Sequence, residues 1–526
     1  MRARADLPPG PSWPAAVQGM AYWSRPLAFL ERCRSRYGGR FTLRLPMTPP
    51  FVMHTDPAHV KEIFTAPPEV LHPGRGARVL EPLVGLNSVI LLDEGAHMEQ
   101  RKLMLPALHG EKMARLAGLM EEVAAAEIAS WPRESATELT PRFQRLTLEI
   151  ILRAVFGLEA DDERLAALRA PLAGQLAFGD KPISLLPPPP ESVRVRSVLE
   201  RVGPFAAFVR MQREADALMF DLIAERRRDH ADRDDILSLL LEARHEDGSS
   251  MSDEEIRDEL MTLLVAGHET TASTLGWAFA LLPRHPEALR RLRDEVDGGD
   301  GDEYLTATIQ ETLRRRPVLP SPAPRFVMQR VEVGGHVYEP GVSLVPNSYL
   351  IHHDPSIYPD PYAFRPERFV GEQPGTYTWI PFGGGRRRCL GASFAMVEMK
   401  IVIRALLAER EVIAVGERHE APRRRNISIT PSHGTRVVLR DRLDPGTGDR
   451  LGSAHVRKRQ EGEGRAADGD GREGRRDGRE RAGHGHDGQR QPADHDDVPG
   501  RATGRLAGVR GAEEEGRLES RDPALG

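Results

Sequence analysis

The chain of 526 residues carries a net charge of −5 and has 40% hydrophobic and 29% charged residues, an ordinary composition for a soluble protein. Cys33 and Cys389 are its only cysteines. Two cysteines cannot form a disulfide framework, a four-cysteine zinc site or an iron–sulfur cluster held by four thiolates. We therefore expect a reduced, intracellular protein.

The amino-terminal stretch is proline-rich at residues 7–11 and contains no apolar run of the about 20 residues that cross a bilayer. It also lacks the basic, apolar and small-residue order of a signal peptide. The sequence predicts a cytoplasmic protein without a membrane span.

Four basic groups, far apart in the sequence, could act together. His97 and Arg101 are one helical turn apart and would face the same way. Arg325 follows a proline-rich stretch, and Arg387 lies close to the second cysteine. Taken singly, each is better interpreted as solvated surface. Together they offer four cationic or donor groups to an acidic ligand.

Residues 252–282 have the pattern of one long helix. Ser252 and Glu255 form a capping-box pair at its start, and Pro283 follows its end. At 1.5 Å per residue, about 30 residues extend roughly 45 Å, enough to cross a whole domain. The segment 266–271, which reads Ala-Gly-His-Glu-Thr-Thr, lies in its middle.

This middle segment combines a glycine, an acid and two threonines. Gly267 costs a helix about 1 kcal/mol relative to alanine, which favours a role in leaving room for a bound molecule. Thr270 can hydrogen-bond back to the preceding turn and open a groove, with Glu269 beside it as a possible proton carrier. The alternative is an exposed acid and a tolerated threonine in a core helix, and these residues alone leave it open.

Glu311 and Arg314 lie three residues apart on one helical face. An exposed pair of this kind contributes about 0.5 kcal/mol or less. If Arg368, in the irregular stretch 360–369, reaches Glu311, the three would form a buried network that locks the loop leading to Cys389.

Cys389 follows Phe382, three glycines and three arginines, and the chain turns helical after Gly391. Positive charge and the start of a helix both favour a thiolate, which suits a metal ligand. The glycines allow the main chain to approach a large flat ligand closely. A phosphate-binding loop pattern is absent. The alternative for a lone cysteine is a small buried hydrophobic residue.

From residue 443 to the end, the chain has no Phe, Trp, Tyr, Ile, Met or Cys. Such a segment cannot bury enough apolar surface to offset the entropy of ordering. We predict a disordered tail over 442–526, in which interleaved acids and the lack of aromatics argue against nucleic-acid binding. Residues 1–441 are predicted to form one large, mostly helical domain.

Four of these segments occur in a fixed order along about residues 10–440: 266–271, the Glu311/Arg314 pair, 365–369 and 382–391. In this order they resemble the cytochrome P-450 superfamily. The resemblance implies a triangular, mainly α fold with small β-sheets and a haem between the long helix and the Cys389 loop.

The resemblance also implies roles for single residues. Cys389 corresponds to the proximal thiolate ligand of the haem iron. Glu269 and Thr270 correspond to an acid–alcohol pair that delivers protons during oxygen activation. The cofactor, haem b, would be contacted by His97, Arg101, Arg325 and Arg387 at its propionates and by Phe382, Gly391 and Gly267. The network of Glu311, Arg314 and Arg368 corresponds to a structural triad.

The implied reaction inserts one atom of O₂ into an organic substrate and reduces the other to water. Nothing after Asp441 could fold as a flavin domain, so electrons from NAD(P)H would arrive through a separate ferredoxin or flavodoxin, attracted by Arg386 and Arg388. The segments that would face the substrate, 71–92, 178–211 and 318–327, are rich in apolar residues and suggest an apolar substrate such as a fatty acid, terpenoid or steroid.

Two other functions remain open from the sequence. A peroxide-using or rearranging haem-thiolate enzyme would not need oxygen activation, and the presence of Glu269 and Thr270 argues against it. A haem-binding sensor without enzymatic activity would use the tail as an interaction arm.

Overall fold

The computed structural model describes residues 7–108, 110, 112–178, 204–229, 233, 235–299 and 301–442. The predicted disordered tail beyond Arg442 and most of the predicted substrate-facing segment 178–211 lie outside these residues. Both stay predictions.

Helices make up most of the described chain. They are α1 (Ala15–Ser24), α2 (Pro26–Tyr37), α3 (Pro57–Thr65), α4 (Pro73–Gly76), α5 (Glu81–Val84), α6 (Glu94–Met104), α7 (Lys112–Ala129), α8 (Leu139–Phe156), α9 (Glu163–Phe178), α10 (Pro204–Arg228), α11 (Ile236–Glu242), α12 (Asp253–Leu281), α13 (Pro286–Gly298), α14 (Glu303–Arg315), α15 (Ser348–His352) and α16 (Ala392–Glu409).

The strands are short and form four small sheets. They are β1 (Arg40–Leu43), β2 (Phe51–His54), β3 (Leu71–His72), β4 (Ala136–Glu138), β5 (Arg325–Val327), β6 (Val331–Val333), β7 (His336–Tyr338), β8 (Ser343–Pro346), β9 (Arg410–Ala414), β10 (Pro422–Arg425), β11 (Ser428–Pro431) and β12 (Arg436–Asp441). The sheet orders are β1-β2-β8-β5-β3, β4-β12-β9, β6-β7 and β10-β11. The predicted class, mainly α with small sheets, is confirmed.

The largest hydrophobic core lies among α7, α8, α12 and α16. Phe143 of α8 stacks on Phe279 of α12 with ring centroids 5.6 Å apart, and Trp131 meets Phe143 edge-on at 5.5 Å. Burial of these large aromatic surfaces stabilises the contact between α8 and α12.

The long helix α12 begins and ends where the sequence predicts. The Glu255 N–H donates to Ser252 Oγ at 3.2 Å, and the Ser252 N–H donates to Glu255 Oε2 at 2.7 Å, which completes the capping box. The helix runs for 29 residues and ends before Pro283. Because α8, α14 and α16 all pack against it, most of its side chains are buried.

The five-stranded sheet positions Arg325. Strand β8 pairs in parallel with β2 and antiparallel with β5, and Arg325 lies opposite Leu344. Arg325 and Val327 are buried, whereas Phe326 between them is less so, as the two-residue repeat of a strand requires. The first residue of β5 is therefore a cation that points into the protein.

Within the described ranges, no helix is both long enough and apolar enough to cross a membrane.

Candidate active site

Three glycines shape the loop before Cys389. Gly383 and Gly385 have φ of +68° and +63°, a left-handed conformation that favours glycine. A Cβ on Gly384 would overlap the ring of Phe64, and one on Gly385 would overlap its carbonyl oxygen. The glycine pattern predicts that the main chain of this loop approaches another group closely. Among the described residues, the group that it approaches is Phe64 of α3.

Cys389 lies at the end of this loop, just before α16. Its N–H donates to the Phe382 carbonyl at 3.0 Å, and the Gly391 N–H hydrogen-bonds to its sulfur. Burial raises the pKa of the Cys389 thiol, although the Gly391 N–H, Arg101 and Arg388 oppose the shift. The predicted positive surroundings are therefore present, but burial outweighs them. A bound metal would have to provide the remaining stabilisation of a thiolate.

The Cys389 side chain also has solvent-accessible surface. In the middle of α12, Ala266 is also exposed, although the helix around it is largely buried. Cys389 lies in the loop that leads into α16, and α16 packs against α12.

The acid and the alcohol of α12 are both hydrogen-bonded. Thr270 Oγ1 donates to the Ala266 carbonyl at 2.7 Å, which is the predicted bond to the preceding turn. Glu269 Oε2 accepts from Gln144 Nε2 at 3.2 Å and forms an ion pair with Arg425 at 3.1 Å. The Glu269 carboxylate is therefore anchored toward α8 and β10. The sequence predicted neither partner of Glu269. Gln144 belongs to no recognisable motif, and Arg425 ends a run of three arginines that is typical of an exposed surface.

Gly267 is the third predicted feature of this segment. A Cβ there would meet the Ile151 side chain of α8 at 3.4 and 3.5 Å, an ordinary van der Waals contact. The glycine thus faces a helix at close range. Its contact with a cofactor stays a prediction.

Arg325 is a buried cation in an unfavourable environment. Its guanidinium donates to the Ala323 carbonyl and lies 5.4 Å from the centroid of the Phe64 ring. Burial and the nearby Arg387 lower the pKa of Arg325 to about 9, while Asp93 opposes the shift. No carboxylate in the described part of the chain forms an ion pair with it. An acidic ligand would supply the missing countercharge.

Arg387 is held in place from the segment before α6. Its guanidinium donates to the carbonyl groups of Val89, Ile90 and Leu92 and pairs with Asp93 at 2.8 Å. Burial lowers the pKa of Arg387 to about 10, with Asp93 opposing the shift. Sequence reasoning missed Asp93, because an acid just before a helix reads as an N-cap. Here the Asp93 side chain makes no capping bond to the helix.

His97 and Arg101 project from α6. Burial, with Arg387, Arg101 and Arg325 nearby, lowers the pKa of His97 to about 3, so the imidazole is neutral at pH 7. Arg101 is less buried and donates to the Arg388 carbonyl at 2.8 Å. The predicted set therefore consists of three cations and one neutral donor.

Three members of this set meet in one cavity. His97, Arg325 and Arg387 line a pocket that is partly open to solvent, together with Phe64 and Gly384. Arg101 lies beside this group toward Cys389, whose charge interacts with it. The tertiary structure thus brings together side chains from α6, β5 and the cysteine loop that are far apart in the sequence.

The predicted network around Glu311 is present, and its Glu311–Arg314 pair is fully buried. Arg314 binds the Glu311 carboxylate through two hydrogen bonds of 2.6 and 2.8 Å, and both side chains are 0% exposed. Arg368 approaches the same carboxylate at 3.5 Å, and the Arg365 N–H donates to it at 2.8 Å. Arg314 also donates to three backbone carbonyls, those of His352, Pro361 and Ala363, so it locks the irregular stretch around 360–369.

The site combines buried basic groups with a nearby cysteine, a combination that suits an acidic cofactor with a metal. A family model described as Cytochrome P-450 matches residues 8–436. Cytochrome P-450 135B1 of Mycobacterium bovis is 42% identical over 446 residues, covering 83% of this chain and 92% of that protein. Cytochrome P-450 137 of Mycobacterium tuberculosis is 39% identical over 431 residues, covering 81% and 88%.

Solved structures show the same fold. Retinoic acid bound cyanobacterial CYP120A1 superimposes with a TM-score of 0.71 at 23% identity, covering 83% of this chain and 99% of that chain. The haem domain of cytochrome P-450DA gives a TM-score of 0.69 at 23% identity. This chain belongs to the cytochrome P-450 family. It is a haem-dependent monooxygenase that uses O₂ and electrons from redox partners.

The residues of the site fit a haem. The buried guanidinium of Arg325 lacks a carboxylate partner among the described residues, and propionates carry the complementary charge. Cys389 offers a sulfur that already accepts a hydrogen bond from the Gly391 N–H. When bound, the haem supplies the iron at which O₂ is activated.

Proposed function

We propose that this chain is a haem b monooxygenase in which the Cys389 thiolate would hold the haem iron and Glu269 and Thr270 would deliver protons. His97, Arg101, Arg325 and Arg387 hold the propionates. Charge-assisted hydrogen bonds contribute about 1.5–3 kcal/mol each, so several can offset the desolvation of two carboxylates. Phe382, Gly391 and Gly267 complete the cofactor contacts.

The ligand assignment is tested by the absorption spectrum of the reduced protein with carbon monoxide. The wild type should give the Soret position of thiolate ligation, and Cys389→His should move it to the histidine-type position. Cys33→Ser is the matched control, because Cys33 is buried in a separate core cluster and should leave the spectrum unchanged. A histidine-type spectrum in the wild type would contradict the proposal.

The observation that carries the proton-delivery role is the bond from Thr270 Oγ1 to the Ala266 carbonyl at 2.7 Å. The hydroxyl lies in an accessible part of an otherwise buried helix, beside an anchored acid. A positioned proton donor typically accelerates a reaction by about 10²–10⁴-fold. The carboxyl group of Glu269 and the hydroxyl group of Thr270 can therefore both take up and release protons near the reacting centre.

Thr270→Ala tests this role. Product formation should fall by about tenfold or more while reductant consumption continues, because electrons then go to peroxide or water. Thr274→Ala is the control, since Thr274 makes the same bond to the preceding turn at 2.9 Å. Unchanged product yield in Thr270→Ala would show that the proton-delivery assignment is wrong.

An apolar substrate is supported by a small hydrophobic cluster. Leu80, Val84 and Leu91 are buried with Ala77, and Leu83, Ile90, Val265 and Ala323 pack against them. This cluster joins two of the predicted substrate-facing segments to α12 beside Ala266. These apolar side chains would favour contact with a fatty acid tail, a terpenoid or a steroid.

A screen of apolar compounds for changes in the haem spectrum tests the substrate class at the iron itself. Long-chain and polycyclic apolar compounds should give shifts at micromolar concentration, and matched charged compounds should not. A response limited to charged or strongly polar compounds would refute the apolar assignment.

Electrons are proposed to come from NAD(P)H through a separate, acidic ferredoxin or flavodoxin in the cytoplasm. Arg386 and Arg388 are exposed on the cysteine loop and would attract such a partner. The reduction rate should fall with rising ionic strength, because salt screens attraction between exposed charges.

A further inference from the structure

Val89 is held from two sides. It belongs to residues 85–93, the bridging segment between α5 and α6. Its N–H donates to Glu259 Oε1 of α12 at 2.6 Å, and its carbonyl accepts from the Arg387 guanidinium at 3.2 Å. Val89 is 5% exposed and Glu259 is 0% exposed, so solvent has little access to the bond between them. One residue therefore connects the first half of α12 to a cation of the cysteine loop.

Glu259 is a buried acid outside the proposed proton-delivery pair. Burial raises its pKa to about 8, and the hydrogen bond from the Val89 N–H opposes the shift. At pH 7 the side chain is therefore mostly neutral and offers a carbonyl-type oxygen to that N–H. An apolar side chain at this position would leave the buried N–H without an acceptor, which is unfavourable in a protein interior.

The preceding acid, Asp258, holds the beginning of the bridging segment. Its Oδ2 accepts from the Asn87 N–H at 2.9 Å and from the Asn87 side-chain amide at 3.0 Å. Gly85 has φ of +82°, and a Cβ there would overlap the Asp258 carboxylate. Ser88 Oγ lies 2.6 Å from Thr262 Oγ1, one turn further along α12. Three successive residues, 87 to 89, are thus each bonded to α12.

The far end of the bridging segment surrounds Arg387. Besides the carbonyl of Val89, those of Ile90 and Leu92 accept from the guanidinium, and Asp93 pairs with it at 2.8 Å. A guanidinium that is held by backbone carbonyls takes its direction from that backbone. The orientation of Arg387 therefore depends on the groups that fix the bridging segment.

We propose that Glu259 is a positioning residue, which fixes through Val89 the backbone that orients Arg387 toward the haem propionates. Asp258 supports the same segment from the same turn of α12. Glu259 acts on Arg387 through a neighbour, in the way that outer partners orient the ligands of a metal. The inference rests on the proposed role of Arg387.

Two substitutions of similar size separate this role from packing. Glu259→Gln keeps a side-chain carbonyl for the Val89 N–H, whereas Glu259→Met fills a similar space without a strong acceptor. Holoprotein mixed with excess apomyoglobin should lose haem about tenfold faster in Glu259→Met, since loss of an outer partner typically weakens binding by about 10–100-fold. Glu259→Gln should stay close to the wild-type rate. A wild-type rate in Glu259→Met, or equal acceleration in both variants, would overturn the proposal.

Asp253→Asn is the matched control. Asp253 also lies in the first turns of α12, but its ion pair of 2.7 Å joins that helix to Arg227 of α10 rather than to the bridging segment. Haem release from this variant should match the wild type. Release as fast as in Glu259→Met would show a general loosening of α12 and would overturn the positioning role.

Asn87→Ala is the second variant, for use if Glu259→Met does not fold. It removes the bond from the Asn87 side-chain amide to Asp258 and leaves α12 itself unchanged. Haem release should again be faster than in the wild type, because the bridging segment is held less firmly. A wild-type rate would overturn the proposal.

A double-mutant cycle with Arg387→Ala tests whether Glu259 acts through Arg387. Glu259→Met should add little to the faster haem release of Arg387→Ala, because the oriented group is already absent. Additive effects in the double variant would mean that Glu259 acts on the haem site by another route, against the proposal.

Hydrogen exchange at the Val89 amide distinguishes failure of this inference from failure of the proposed function. The amide should exchange faster in Glu259→Met than in the wild type and Glu259→Gln, because its acceptor is lost. Unchanged exchange would overturn the bridge. If the amide behaves as expected while Arg387→Ala releases haem at the wild-type rate, the proposed propionate contact of Arg387 fails and the bridge from Glu259 to Arg387 stands.

Discussion

The ion pair of Glu311 and Arg314 has no contact with solvent, so each charge depends on the other and on the backbone around it. We expect Glu311→Ala to lower the free energy of unfolding by about 3–5 kcal/mol, because the Arg314 guanidinium would remain buried without its counterion. Chemical denaturation followed by circular dichroism measures the change. Asp294→Ala, which removes an exposed pair with Arg290, should cost only about 0.3–0.5 kcal/mol. Equal losses in both variants would contradict the buried network.

At the same scale, the site residues differ in how well sequence reasoning places them. Cys389, Arg325 and Arg387 were predicted from the motifs and the resemblance, and the structure shows why their environments are electrostatically unusual. Asp93 and Arg425, which hold Arg387 and Glu269, were not predicted. Charged residues such as these cannot be recognised from the sequence, because only the folded structure brings them next to the charged group that they orient.

Among the elements, α12 depends on its first turn. Ser252→Ala should lower the free energy of unfolding by about 1 kcal/mol, since it leaves an N–H group of the helix start without its partner. Thermal unfolding of the holoprotein measures the effect. Ser35→Ala, on the exposed face of α2, is the control and should change stability by no more than a few tenths of a kcal/mol. A loss in the control as large as in Ser252→Ala would argue against the capping role.

The cysteine loop shows an element whose shape is decided by its neighbour. The sequence pattern predicts glycines that admit a flat ligand, and the structure shows that Gly384 and Gly385 also let the loop lie against Phe64 of α3. The 382–391 motif therefore serves packing between two elements as well as the position of Cys389.

For the molecule as a whole, two buried acids lower stability as the pH rises, and buried histidines oppose them below about pH 6.5, because burial lowers the pKa of His54, His268 and His352 to about 3. Burial raises the pKa of both Glu259 and Glu398 from 4.5 to about 8. Between these values the folded state holds protons that the unfolded state has lost, so these groups make the protein less stable as the pH rises from about 4.5 to 8. Between pH 6.5 and 8, where these histidines are mostly neutral in both states, the double variant Glu259→Gln, Glu398→Gln should show a flatter decline than the wild type. Urea denaturation at pH 5, 6.5 and 8 measures it, and an unchanged slope would contradict the raised pKa values.

A second prediction at this scale concerns the residues beyond Arg442. Removing 443–526 should leave haem content and the carbon monoxide spectrum unchanged, because the composition of that segment cannot support a core. Haem quantification per protein in the full-length and truncated chains measures this. Loss of haem on truncation would show that the segment takes part in the fold.

The sequence by itself determined the family, the mainly helical class, the bounds of α12 and the identity of the candidate ligand. These rest on local patterns, such as the capping box at Ser252 and the motif around Cys389, in which near neighbours in the chain decide the outcome. The predicted bond from Thr270 to Ala266 is of the same kind, because it joins residues one helical turn apart.

Only the tertiary structure decided the contacts between distant segments. It made His97 neutral by burying it near Arg387, Arg101 and Arg325, and it turned Glu269 toward Arg425. Desolvation and Coulomb interactions depend on every group that packs around a side chain. Those neighbours come from elements hundreds of residues apart, so their effect on charge and protonation could be known only once the chain was folded.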